Sequence, residues 1–293
     1  MATKREIKNR IKSVSSTKKI TSTMEMVAGA KMKKMQQRLA QSKPYELKIN
    51  EIIAEITASG EGSFTDPLLQ EAANSKKALI FHITGNRGLC GSYNSSSIEK
   101  TMQLKKQLES EGKEAIIYAV GKKGINYYNF SNTPLYKFSA NLEDKFNFEE
   151  AAKLCSELTE LFLNGSFDEI YISYTKVFSS SVLKPANFRL LPITMETGAS
   201  QEKETTGKTD YEFKPDREKI FSYLLPLYLK VKLFTCFLES GFSEQFLRRV
   251  AMKNASDASS DMIRELTVTY NRVRQAKITN EIAEIVGGAA ALE

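Results

Sequence analysis

The sequence predicts an α/β protein in which a layered domain is inserted between two chain-terminal helices that pair as a long antiparallel coiled coil. Three observations predict it. The N-terminal stretch runs in good helix formers without proline until Pro44 and without glycine until Gly29. The middle of the chain alternates short β-rich runs with amphipathic stretches. From Pro215 onward the chain turns helical again and carries a heptad-spaced row of small and apolar residues.

The first helix starts at a capping box, Thr3 with Glu6 three residues on. Apolar residues recur at Ile7, Ile11, Val14, Ile20, Met24, Val27, Met35 and Leu39, interrupted by Lys18, Lys19 and Lys31. The pattern resumes past Pro44 through Ile49, Ile52, Ile53 and Ile56 and ends at Ser59-Gly60-Glu61-Gly62. At about 1.5 Å per residue such a helix is on the order of 80 Å long, more than a small domain can cover. Strands are predicted at 78–84, 115–120, 169–174 and 188–193, with helices near 95–111 and 147–164. This alternation describes a Rossmann-like domain with a largely parallel sheet. Residues 196–214 are polar and nearly free of aliphatics, a solvent loop. In the C-terminal helix, Ala255, Ala258, Met262, Leu266, Thr269, Val273 and Ala276 are spaced by threes and fours, the seam of a left-handed coiled coil. Its partner is the first helix. The division is therefore 1–58 for the first helix, 76–195 for the α/β domain, 196–214 for the loop and 215–293 for the second helix.

Composition narrows the chemistry. The formal net charge is +7, and residues 1–48 alone hold 13 Lys/Arg against 3 Asp/Glu. A basic helix face, a partner surface and nucleic-acid binding all fit that excess. No run is long and apolar enough to span a bilayer, and no signal-type stretch follows the opening residues, so the chain is expected to stay in the compartment where it is made. Cys90, Cys155 and Cys236 are odd in number and widely spaced, and His82 is the sole histidine, which argues against a disulfide framework or a zinc site. His82 reads as a packed histidine on a strand. The loop Gly85 to Gly91 lies between a strand and a helix, where phosphates are cradled, but its glycines are not spaced GxGxxG, and a tight turn explains them as well. Gly207-Lys208-Thr209 imitates the end of a P-loop without the glycine it requires, because Glu202 stands there. No nucleophile, base or clustered acidic set survives, so neither cofactor nor metal is expected.

Several stretches resemble one family. Residues 278–291, ITNEIAEIVGGAAA, are similar to the C-terminal motif of ATP synthase gamma subunits. Lys18-Lys19-Ile20-Thr21, Met24 to Ala28, Arg87 to Gly91, Ser243-Glu244-Gln245, Val250 to Lys253, Tyr270-Asn271-Arg272 and Arg274-Gln275-Ala276 follow in the family's order across the whole chain. Leu247-Arg248-Arg249 stands where the family more often has Ala-Arg-Met; the family's arginine is carried onto Arg249. The resemblance implies a non-catalytic central-stalk rotor. Its terminal helices would pass up the bore of an alpha/beta hexamer, and its α/β domain would sit near the epsilon subunit and the ring of c subunits. It implies hexamer contacts at Lys18, Met24, Arg249, Arg274, Gln275, Thr279 and Glu281, with small apolar residues of 287–292 turning inside the sleeve. It implies no nucleic acid, contact with the membrane only through partner subunits, and a place on the cytoplasmic face of a bacterial inner membrane.

Overall fold

A computed structural model of the protein describes residues 3–58, 66–71, 75–140, 146–179, 182–194 and 217–290. The end of the first helix at Ser59-Gly60-Glu61-Gly62, the polar stretch 196–214 and residues 291–293 lie outside the described residues. In chain order the elements are α1 (Lys4–Ala58), β1 (Lys77–Ile83), α2 (Tyr93–Ser110), β2 (Glu114–Val120), α3 (Lys122–Phe130), β3 (Leu135–Ser139), α4 (Phe148–Leu163), β4 (Glu169–Val177), β5 (Leu183–Leu191) and α5 (Arg217–Ala290). The chain forms two compact units: Met1–Ala30 with Arg248–Glu293, and Lys31–Leu247.

The larger unit is built on a five-stranded sheet of order β3-β2-β1-β4-β5, parallel except where β5 pairs antiparallel with β4. Side chains of a strand alternate faces, and here both faces are covered, so β1 reads as a continuous apolar run. Leu79, Phe81 and Ile83 point into one core with Ala151, Cys155 and Leu158 of α4 and Leu229, Leu233 and Phe237 of α5. Ala78 and Ile80 point the other way, into a core with Leu104 and Leu108 of α2 and Ile125 and Tyr128 of α3. The predicted strands and helices of this region are all present. Two elements, α3 and β3, are added to the sequence reading. The capping box of α4 is complete: Asn147 Oδ1 accepts from the Glu150 amide at 2.9 Å, and Glu150 Oε2 accepts from the Asn147 amide at 3.0 Å.

His82 belongs to this packing. It is fully buried on β1, with Nε2 2.8 Å from Ser97 Oγ and Nδ1 2.7 Å from the Tyr128 hydroxyl. Burial lowers its pKa from 6.5 to about 3, so the ring is held neutral. An unfolded chain protonates this histidine below pH 6.5 and the native one does not until about pH 3. The stability it contributes is therefore full above pH 6.5 and drains away as pH falls through that window. Between pH 7 and pH 5 the loss from this group is about 2 kcal/mol. Urea unfolding at both pH values is expected to show that loss in the wild type in excess of His82→Gln; equal losses would mean that His82 does not titrate as described.

The smaller unit pairs the start of α1 with the second half of α5. The capping box predicted at Thr3 forms, with the Thr3 amide donating to Glu6 Oε2 at 2.9 Å. Lys4 Nζ lies 5.9 Å from the centroid of the Tyr270 ring, and a Cβ on Gly29 would meet the Arg249 side chain at 3.7 Å. The helices are therefore antiparallel. On α1 the inward row is Ile7, Ile11, Val14, Thr21, Glu25 and Ala28; on α5 it is Met252, Ser256, Ser259, Ile263, Leu266, Tyr270 and Val273. The α5 row steps by fours and threes and the α1 row keeps the same spacing except for a step of seven across exposed Lys18, so the heptad period stands while its phase differs from the one the hydropathy pattern predicts. Ala258, Met262, Thr269 and Ala276 are exposed, as are Ile20 and Val27. The neighbouring row on α5 presents the bulkier Ile263 and Tyr270, and burying them removes more apolar surface from water.

Candidate functional site

The phase of the seam leaves apolar side chains of the terminal-helix unit in solvent. Ile20 is 61 % exposed and Val27 51 %, seven residues apart and hence on one face of α1. On α5 every residue from Arg274 to Gly287 is exposed. The reason is local: α1 begins opposite Tyr270, so past the turn of Lys277 and Asn280 the helix α5 has no antiparallel neighbour among the described residues of this unit. This end of α5 still carries Ile278, Ile282 and Ile285 at spacings of four and three, an amphipathic stripe with nothing packed on it among the described residues. Exposed apolar rows of this kind mark surfaces that a partner covers.

Charge surrounds these rows. Lys4, Arg5 and Lys8 of α1 and Lys277 of α5 line a cavity of about 770 Å³ beside Tyr270, and its lining contains no carboxylate. Such a cluster suits an acidic partner segment. Lys277 and Glu281 form an i,i+4 ion pair at 3.5 Å, both more than half exposed. A pair in such contact with water is worth only a few tenths of a kcal/mol, so it can be exchanged for an outside partner at little cost. The Thr279 hydroxyl donates to the Gln275 carbonyl at 3.0 Å and can redirect in the same way.

The seven residues singled out by sequence all fall in this unit, but at two separate stations. Arg274, Gln275, Thr279 and Glu281 occupy the C-terminal turns of α5 and are exposed. Arg249 is exposed beside Gly29, one turn beyond Met24 and Glu25 on α1; Met24 is half-buried and Lys18 exposed. Along α5 the step from Arg249 to Arg274 is about 38 Å at 1.5 Å per residue. Arg248, one residue before Arg249, is buried where Arg249 is not. Sequence reading missed two features. Hydropathy puts Ile20 and Val27 in the apolar stripe of α1, whereas both are exposed, and the cluster of Lys4, Arg5, Lys8 and Lys277 joins both chain ends, of which the lysine-rich opening signals only one.

In the sheet unit the loop after β1 lies beside a cavity of about 900 Å³ lined by Thr84, Asn86, Arg87, Lys122 and Glu244. Leu89 and Gly91 take positive φ of 60° and 58°, the geometry of a tight turn. Two amides around it are engaged internally: Gly85 N–H donates to Asn94 Oδ1, and Lys122 N–H at the start of α3 donates to Asn86 Oδ1, each at 2.9 Å. The tight-turn reading of the loop therefore fits better than a phosphate cradle. All three cysteines are buried, and burial pushes the Cys155 thiol up to about 12 and the Cys236 thiol higher still, which makes both poor nucleophiles.

The profile of the ATP synthase family matches residues 3–292. The ATP synthase gamma chain of Leptospira biflexa is 41 % identical over 292 residues, covering all of both chains. That of Corynebacterium jeikeium is 36 % identical over 323 residues, covering all of this chain and 98 % of its own. Among solved structures, a chain of the Euglena gracilis mitochondrial ATP synthase aligns with a TM-score of 0.67 at 19 % identity, over 99 % of this chain and 94 % of that one. A chain from the central stalk and c-ring of the Tetrahymena thermophila enzyme aligns at 0.58 and 23 %, over 81 % and 99 %.

Proposed function

The chain belongs to the family of ATP synthase gamma chains, and on that premise we propose that it is the central-stalk rotor of a proton-translocating F-type ATP synthase. It couples proton flow through the membrane sector to ATP synthesis or hydrolysis at a hexamer of alpha and beta subunits, and performs no catalysis itself. The observation that carries this reading is the unpaired end of α5, a single helix with an exposed apolar stripe at Ile278, Ile282 and Ile285. An exposed apolar stripe on an unaccompanied helix end marks a surface that a partner covers, and a surrounding sleeve is such a partner.

The physics of a rotor asks for little reactive chemistry. It must meet three beta subunits in turn, so its contacts must differ between orientations and exchange without large barriers; coupling is then a difference of binding free energies between states. Exposed Lys18, Arg249, Arg274, Gln275, Thr279 and Glu281 supply screened polar contacts, and half-buried Met24 supplies a flexible apolar one. The basic groove at Lys4, Arg5, Lys8 and Lys277 faces acidic loops of the hexamer. The sheet unit is the part that meets the epsilon subunit and the c-ring. No described helix is long and apolar enough to cross a membrane. In this reading the chain is held through those partners, on the cytoplasmic face of a bacterial inner membrane.

Co-expression with alpha and beta subunits of the same organism tests the reading. Native mass spectrometry is expected to find one copy of this chain per three alpha and three beta subunits, in a complex that hydrolyses ATP and drives protons when joined to its membrane sector. A chain that stays monomeric in their presence overturns it.

A further inference from the structure

The rotor reading leaves two sequence motifs without a task, the loop Arg87 to Gly91 and the triplet Ser243-Glu244-Gln245. The structure brings them together inside the sheet unit. In a sheet of order β3-β2-β1-β4-β5 the winding reverses between β1 and β4, and the crevice at the carboxyl ends of those two strands is where such folds hold ligands. Here that crevice holds a turn of α5. Ser243, fully buried, donates its hydroxyl to the Thr175 carbonyl near the end of β4 at 3.4 Å. The Glu244 carboxylate lies over Gly85, just past β1, so closely that a Cβ on Gly85 would sit 3.1 to 3.2 Å from its Cδ and both oxygens. A Cβ on Gly91 would lie 3.9 Å from the Leu247 carbonyl.

We propose that this turn is a key: Ser243 and Glu244 of α5 are seated in the crevice of the sheet so that torque passes between the helix and the α/β domain without slip. The proposal rests on the rotor reading and deepens it. The apolar contacts of α5 with the sheet, through Leu229, Leu233 and Phe237, are non-directional and resist sliding or rolling weakly. The Ser243 hydroxyl bonded to the Thr175 carbonyl and the Glu244 carboxylate standing over Gly85, at the ends of two neighbouring strands, favour one rotation and one height for the helix. A Cβ at position 85 would push the Glu244 carboxylate aside by a few tenths of an ångström. Glu244 and Gly85 are thus positioning residues, remote from any reacting group.

The test uses the assembled enzyme in membrane vesicles, measuring ATP hydrolysis per complex and proton uptake per ATP hydrolysed. Glu244→Ala and Gly85→Ala are each expected to lower protons moved per ATP by at least about threefold at near-normal hydrolysis, and the double variant no further than the worse single, because both remove one contact. If Gly85→Ala fails to fold, Glu244→Ala, which only deletes atoms, carries the test alone. Wild-type proton uptake per ATP in Glu244→Ala overturns the proposal, as does a parallel fall in hydrolysis and uptake, which marks simple destabilisation. A wild-type chain that never joins a proton-pumping complex would instead overturn the rotor reading beneath it.

Discussion

Gly121→Ala is expected to destabilise the protein by at least about 3 kcal/mol, whereas Gly112→Ala costs about 1 kcal/mol. Both glycines have positive φ, 97° and 81°. A left-handed backbone alone disfavours alanine by roughly 1–2 kcal/mol, and a Cβ on Gly112 meets nothing within 4 Å, so that term is all it incurs. Gly121 lies at the junction of β2 and α3, with ψ 137°. A Cβ there would sit 2.1 Å from the Thr84 carbonyl oxygen, and the obstacle is backbone, which cannot rotate aside. Thr84 is itself held on all sides: its hydroxyl reaches the Val120 carbonyl at 2.8 Å and the Gly124 amide at 3.0 Å. Relieving the overlap must therefore separate β1 from β2 at the edge where α3 starts. Urea unfolding of the two variants side by side checks this; a Gly121→Ala protein as stable as Gly112→Ala would contradict the close packing of β1 against that junction.

The junction also shows why part of the fold was legible and part was not. β1, β2 and β4 are covered on both faces, so burial writes itself into sequence as unbroken apolar runs such as ALIFHI. β3 is an edge strand of five residues, LYKFS, none of them buried, and nothing forces an apolar run upon it. α3 has nine residues and contains Gly124, which a propensity argument counts against a helix. The helix pair was legible in period but not in phase. On α1 two rows compete, one through Ile20 and Val27 and one through Thr21 and Ala28, and hydropathy favours the first. The structure buries Ala28 at 1 % exposure and Thr21 at 9 %. Small side chains let two helices approach closely, a benefit that composition-based patterning does not count. The same ambiguity hid the site, because residues assigned to a core are not searched for as a surface.

Ile20→Asp with Val27→Asp is therefore expected to separate folding from function. Were these side chains seam residues, two buried unpaired carboxylates would cost several kcal/mol and unzip the helix pair. Exposed as they are, at 61 % and 51 %, their loss changes the stability of the isolated chain by no more than about 0.5 kcal/mol per site. In the assembled enzyme the outcome reverses. If the rotor reading holds and this face is turned to the hexamer, two like charges are introduced there, and each must be desolvated or repelled. Assembly or proton pumping per ATP is expected to fall at least about tenfold, since about 1.4 kcal/mol of unfavourable contact suffices for that factor. Ala28→Asp, inside the observed seam, reverses the pattern by destabilising the isolated chain first. Thermal unfolding of each isolated variant, followed by native mass and proton uptake of its complex, distinguishes the two faces of the helix. A folded double variant that assembles and pumps normally would remove Ile20 and Val27 from the interface and leave their exposure without a function.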